Sequence, residues 1–173
     1  MIRTRNIKQE IVDSLLGHDM KRKMDCIRDI PLLESIDGIE IMKAILACED
    51  NLSLKLEALR IMPQLLRSTT VVDVIALLHI ALDDPDSDVV RWGLLTSQSI
   101  LPFYMNNGLI DKMISLLNHE DTDVQYEAIV SLVRFRRLLT KEELVGVLAP
   151  FIGHANRVLS DLAERARDEV SRC

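Results

Sequence analysis

Four aspartates fall within six residues in "DDPDSDVVRWG", Asp83 to Gly93, just ahead of an apolar run and the only tryptophan. Asp84, Asp86 and Asp88 alternate as the oxygen ligands at positions 1, 3 and 5 of a helix-flanked calcium loop do. Such a loop also needs glycine at position 6 for its sharp turn and a bidentate glutamate at position 12. This chain offers Val89 and Leu95 there. With both failing, the aspartates read as a turn and a helix N-cap, where negative charge meets the positive end of the helix dipole.

The histidines invite a similar test, because His119 and His154 lie 35 residues apart, Asp84 stands 35 before His119, and His18 sits in an earlier turn. Zn–N bonds are about 2 Å and packed helices lie about 8–10 Å apart, so four successive turns cannot converge on one ion. They read as solvated turn residues, and His79 as a hydrogen-bonded packing residue on a mostly apolar helix. The cysteines Cys26, Cys48 and Cys173 are odd in number and have no CxxC spacing, which argues against a disulfide framework or a zinc knuckle. Cys26 and Cys48 read as small apolar fillers and Cys173 as an exposed end. No phosphate loop, HExxH, GxSxG or GxGxxG is present. The expectation is therefore a chain without catalytic residues, metal or cofactor.

These residues must be held by helices. Hydrophobic residues make up 48% of the 173 and aromatics only 3%, so the core is aliphatic, and six glycines and five prolines are too few for a strand-and-turn protein. The fold class is all-α. A net charge of −6 disfavours a general polyanion binder, although a local basic face can survive in an acidic whole. "MIRTRNIKQEIVDSLL" has no uninterrupted apolar stretch, and the apolar run Val71 to Leu82 is broken by Asp73 and His79. No export or membrane anchor is expected, and a cytoplasmic setting fits.

The chain repeats itself every 35 residues. Leu54, Val89, Val124 and Leu159 keep this step; so do Ala58, Gly93, Ala128 and Ala163, and Leu65, Ile100, Phe135 and Val170. Ile39, Val74, Leu109 and Leu144 form a fourth column and Ala47, Leu82, Leu117 and Ile152 a fifth. Inside each period the apolar spacing is helical, as in Val74, Leu77, Leu78, Ala81 and Leu82. This predicts one domain over 1–173 with five helix pairs, near 5–30, 38–67, 70–103, 107–138 and 141–171. The first pair is out of strict register. The small column, one turn into each second helix, lets a neighbouring helix approach closely. Helix ends carry ordinary capping chemistry: Asp121 to Asp123 before one helix, a Thr140–Glu143 capping box at another, and Arg67, Arg134, Arg136, Arg137 and Arg172 where second helices close.

The turns inside the pairs with the starts of the second helices, "LDDPDSDVVRWGLL" at 82–95 and "LNHEDTDVQYEAI" at 117–129, with weaker copies "CEDNLSLKLEAL" and "GHANRVLSDLA", resemble those of HEAT repeats, in the HEAT/armadillo class. In the second copy Gln125 and Tyr126 stand where arginine is usual. The resemblance covers about 140 residues from Gly38 on and implies a right-handed α-solenoid of antiparallel helix pairs, a fold that serves scaffolds, adaptors and regulatory subunits more than enzymes. The tetratricopeptide pattern is absent.

In such solenoids the second helices line the concave side. Their less buried positions here include Lys55, Arg60, Gln64, Arg91, Gln98, Tyr126, Arg134, Arg137 and Arg165. The candidate partner-binding residues are Arg60, Arg91, Trp92, Tyr126, Arg134 and Arg137, suited to an acidic peptide or helix of a protein partner. The bland alternative is a solvated helical face. The resemblance extends to two rivals at the same fold level, the HEAT-like DNA alkylation glycosylases and the HEAT-like phycobilin lyases. The acidic total and the lack of a lysine-rich face weigh against nucleic acid, and no residue specifically supports bilin handling.

Overall fold

The computed structural model describes residues 2–48, 50–100 and 107–171, without the side chains of 2–6, 48, 107, 170 and 171. Several expectations fall outside this range: the stretch 101–103 of one second helix, Arg172, Cys173, and the side chains of Cys48 and Val170. The described residues form α-helices joined by short turns, with no strand among them. The all-α expectation holds.

The helices gather into two compact units, Met1–Thr96 and Ser97–Cys173. The first contains α1 (Ile2–Leu16), α2 (Met20–Asp29), α3 (Ser35–Cys48), α4 (Leu52–Leu65), α5 (Val71–Leu82) and most of α6 (Ser87–Ile100). The second contains α7 (Asn107–Ser115), α8 (Thr122–Arg134), α9 (Lys141–Leu148) and α10 (Arg157–Ser171). Single 3₁₀ turns follow α2, α7, α8 and α9, so some expected helices end a turn early and tighten. Two elements begin before their expected starts, α1 at Ile2 and α3 at Ser35; in α3 the helix runs through Gly38, whose N–H donates to the Glu34 carbonyl at 3.0 Å.

In the first unit α1 packs on α2 and α3 on α4, while α2 also packs on α4 and α3 on α5. In the second, α7 packs on α8, α9 on α10 and α8 on α10. In four pairs a helix thus meets its partner in the chain, and α2–α4, α3–α5 and α8–α10 join helices two places apart. The repeated columns explain why. Leu54, Val89 and Val124 are fully buried, as are Ala58, Ala128 and Ala163. At Gly93 an added Cβ would lie 3.1 Å from Leu82 Cδ2 and 3.3 Å from Ala81 Cβ, so the smallest side chain is what lets α5 and α6 close together. Two members depart from their column: Ala47 is exposed and Ile152 half-buried, unlike the buried Leu82 and Leu117.

Pro63 lies inside α4 and has no N–H for the Leu59 carbonyl four residues back. The Thr96 hydroxyl donates to that carbonyl from α6 at 3.4 Å. A residue 37 positions on supplies the bond the proline removed, and α4 ends two residues after it.

The turns repeat their chemistry as well as their length. Asp86, Asp121 and Asn156 stand 35 apart, and each accepts a backbone N–H two residues on, from Asp88 (2.9 Å), Asp123 (2.8 Å) and Val158 (3.0 Å). Asn51, one period earlier, accepts from Leu54. Thr140 and Glu143 form the full capping box. The turn before α10 also uses Gly153 with φ 74°, a left-handed conformation that side chains resist.

Candidate functional site

The aspartates of the opening turn are committed to its backbone. Asp84 accepts the Asp86 N–H at 2.9 Å and Asp86 accepts the Asp88 N–H, which bends the chain into α6. His119 and His154 do the work of Asp84 in their own turns, each accepting through Nδ1 the N–H two residues on, from Asp121 at 3.0 Å and Asn156 at 3.1 Å. They are turn-forming acceptors, a more specific role than solvated turn residues. Among the described residues no group of three or more His, Cys, Asp or Glu side chains is placed to hold a metal ion.

Of the basic positions on the second helices, Arg60 is the most built. Its Nε and Nη2 donate to both oxygens of Glu57, at 2.8 and 2.6 Å, a bidentate pair one turn along α4. Arg28 on α2 donates its Nε to the same carboxylate at 2.6 Å and its Nη1 to Asp25 at 3.0 Å. Glu57 is only 6% exposed, while Arg28 and Arg60 are about half-exposed. The bond from Arg60, aided by that from Arg28 and opposed by burial, holds the Glu57 carboxyl down at about 2. The outcome is two guanidinium groups from neighbouring helices, oriented from beneath by one buried anion and open to solvent on their other side.

On α6, Arg91 pairs with Asp88 at 3.3 Å and keeps a side chain 35% exposed, and Trp92 is 37% exposed. In the second unit Tyr126 is half-buried on α8, Arg134 is exposed about 12 Å further along the same helix, and Arg137 is exposed in the 3₁₀ turn after it. Arg60, Arg91 and Trp92 therefore belong to the first unit, and Tyr126, Arg134 and Arg137 to the second. Gln64 and Arg165 are exposed.

Two positions read as part of an open stripe are not. Lys55 is 13% exposed and donates to Asp84 at 2.6 Å, so its charge is spent on a nearly buried carboxylate at the turn ahead. Gln98 is 8% exposed and donates to the fully buried Ser131 hydroxyl at 3.1 Å, a bond within the second unit. Three ion pairs that the sequence did not announce, Lys8–Asp37, Arg28–Glu57 and Lys55–Asp84, link different helix pairs, each across 29 residues. Glu57 carried a signal of its own: its column continues as Trp92, Glu127 and Leu162, so an acid there faces other residues more than water.

His79 is half-buried in the last turn of α5, and Cys26 is a free, partly buried thiol on α2. No helix among the described residues is long and apolar enough to cross a membrane. No protein-family model, curated protein or solved structure matches this chain.

Proposed function

We propose that the chain is a HEAT-like α-solenoid module, without catalysis, that binds an acidic segment of a protein partner through the exposed arginines of its second helices. The observation that carries the reading is the Arg28–Glu57–Arg60 group. Guanidinium groups already fixed in a fork lose little side-chain entropy on meeting a carboxylate, and each keeps N–H donors beyond those given to Glu57. The exposed Arg134 and Arg137, with the half-buried Tyr126 as apolar area, offer the same chemistry in the second unit.

The solenoid part of the proposal is supported by packing of helices two places apart, α2 on α4, α3 on α5 and α8 on α10, and by turn roles that recur at 35 residues. Stacked pairs of this kind build an extended surface from short-range contacts. A non-catalytic, cytoplasmic adaptor or regulatory subunit is the use we infer.

The test is affinity capture with quantitative mass spectrometry, comparing the native chain with a variant carrying Arg60→Gln, Arg134→Glu and Arg137→Glu. Glu57 keeps its partner Arg28 in this variant, and circular dichroism checks that helicity is unchanged. At least one protein should be lost more than tenfold from the variant. An identical set of captured proteins would overturn the placement.

A further inference from the structure

The buried carboxylate that fixes Arg28 and Arg60 also selects the anion they can take. Arg28 Nε and Arg60 Nη2 both donate to Glu57 Oε1, each at 2.6 Å, so two guanidinium groups on the packed helices α2 and α4 stand side by side over one oxygen. Each spends two of its five N–H donors: Arg60 gives both to Glu57, and Arg28 gives one to Glu57 and one to Asp25. Three N–H groups remain on each, and both side chains are about half-exposed.

A ligand carboxylate gains little at this place. Arg28 already holds one, from Asp25 at 3.0 Å, and an acid of equal charge would only trade places with it. That pair is exposed on both sides, 50% and 56%, and exposed pairs contribute little, so a more highly charged anion displaces Asp25 where an equal one does not. Glu57, 6% exposed, stays in place and keeps the two groups convergent; with Asp25 displaced, two cations face one buried anion and the site is net positive. A phosphate monoester meets these demands. It carries a charge of about −1.5 to −2 at pH 7, and its three terminal oxygens form a tetrahedral array that can accept from two guanidinium forks at once.

We propose that Arg28 and Arg60 together receive the phosphate monoester of a phosphorylated serine or threonine in the protein partner. The proposal rests on the reading that these arginines face an acidic segment of a partner, and it names the acid.

The test is an NMR titration of the ¹⁵N-labelled full chain, following the Nε–H signals of Arg28 and Arg60, with Ac-Gly-Asp-Ser-Asp-Gly-NH₂ phosphorylated on its serine. Arms with the same peptide carrying glutamate in place of phosphoserine, with inorganic phosphate and with a thymidine pentanucleotide separate phosphate from carboxylate, and the peptide from free or nucleic-acid phosphate. The phosphopeptide should shift both signals saturably and bind at least tenfold more tightly than the glutamate peptide. Its affinity should fall about threefold from pH 7.5 to pH 5.5, as the second phosphate proton returns near pH 6, and that of the glutamate peptide should not. Arg28→Gln and Arg60→Gln should each cost at least fivefold, and Glu57 keeps one arginine in either variant. Arg60→Lys, which keeps the charge and loses the fork, should cost at least threefold. Equal binding of the two peptides would overturn the phosphate and leave the acidic-segment reading standing, whereas no binding by either would overturn both at this site. Unchanged affinity in Arg60→Lys, or tighter binding of inorganic phosphate or of the nucleotide than of the phosphopeptide, would also overturn the proposal.

Discussion

Replacing Glu57 by glutamine should remove the anion that orients Arg28 and Arg60 while keeping the shape of the side chain. Its carboxyl is held at about 2 against an ordinary 4.5, because the bonds from Arg60 and Arg28 outweigh the cost of burial. A difference of that size corresponds to about 3 kcal/mol of folding stability, and screening of the half-exposed arginines trims it to about 2 kcal/mol. The sign follows from the direction of the shift. A carboxyl depressed in the folded state contributes fully above its unfolded value near 4.5, and the contribution is lost as pH falls from there towards 2. Urea unfolding from pH 7 down to pH 2 measures this directly. Glu57→Gln should be less stable than the native chain by about 2 kcal/mol at pH 7, and the two curves should converge as the pH approaches 2. Equal stability at pH 7, or a gap that persists unchanged at pH 2, would refute the reasoning.

Other consequences are checked by the same unfolding assay. Thr96→Val should cost about 1 kcal/mol by leaving the Leu59 carbonyl, freed by Pro63, without a donor, whereas Thr96→Ser should retain most of the stability. Gly93→Ala should stay within about 1 kcal/mol of the native chain, since helix propensity gained offsets a 3.1 Å contact with Leu82; Gly93→Val should cost about 1–3 kcal/mol by overpacking. Lys55→Met should destabilise by about 3 kcal/mol, because it leaves Asp84 nearly buried without its cation. His119→Ala should cost about 1 kcal/mol through loss of the turn acceptor, and His119→Asp should recover most of it, since Asp84 fills that role one period earlier.

The helices were legible because their signal is periodic and local. The columns Leu54, Val89, Val124 and Ala58, Ala128, Ala163 are buried wherever they recur, and the capping box at Thr140 and Glu143 is a contiguous four-residue pattern. What escaped was the set of contacts that depend on the offset between neighbouring helices. Lys55 lies 29 residues from Asp84, a separation set by how α4 and the turn after α5 are placed and not by the 35-residue period. Gln98 looked like an exposed polar residue, yet Ser131 stands ready to accept its amide inside the packing, so polarity alone misplaced it. Arg60 was legible as a basic surface residue, but the buried carboxylate beneath it was not, although the mixed column of Glu57, Trp92, Glu127 and Leu162 hinted that this position is only half in water.

The central claim is that the second helices carry the contact with a protein partner. Its most direct test is site-specific photocrosslinking in cells, with a photoreactive amino acid placed singly at Gln64 or Arg134 on second helices and at Glu40 or Ala76 on first helices, all of them exposed. Crosslinks to the same protein are expected from Gln64 and Arg134 and none from Glu40 and Ala76. Equal crosslinking from both sets, or crosslinks from Gln64 and Arg134 to nucleic acid alone, would contradict the account.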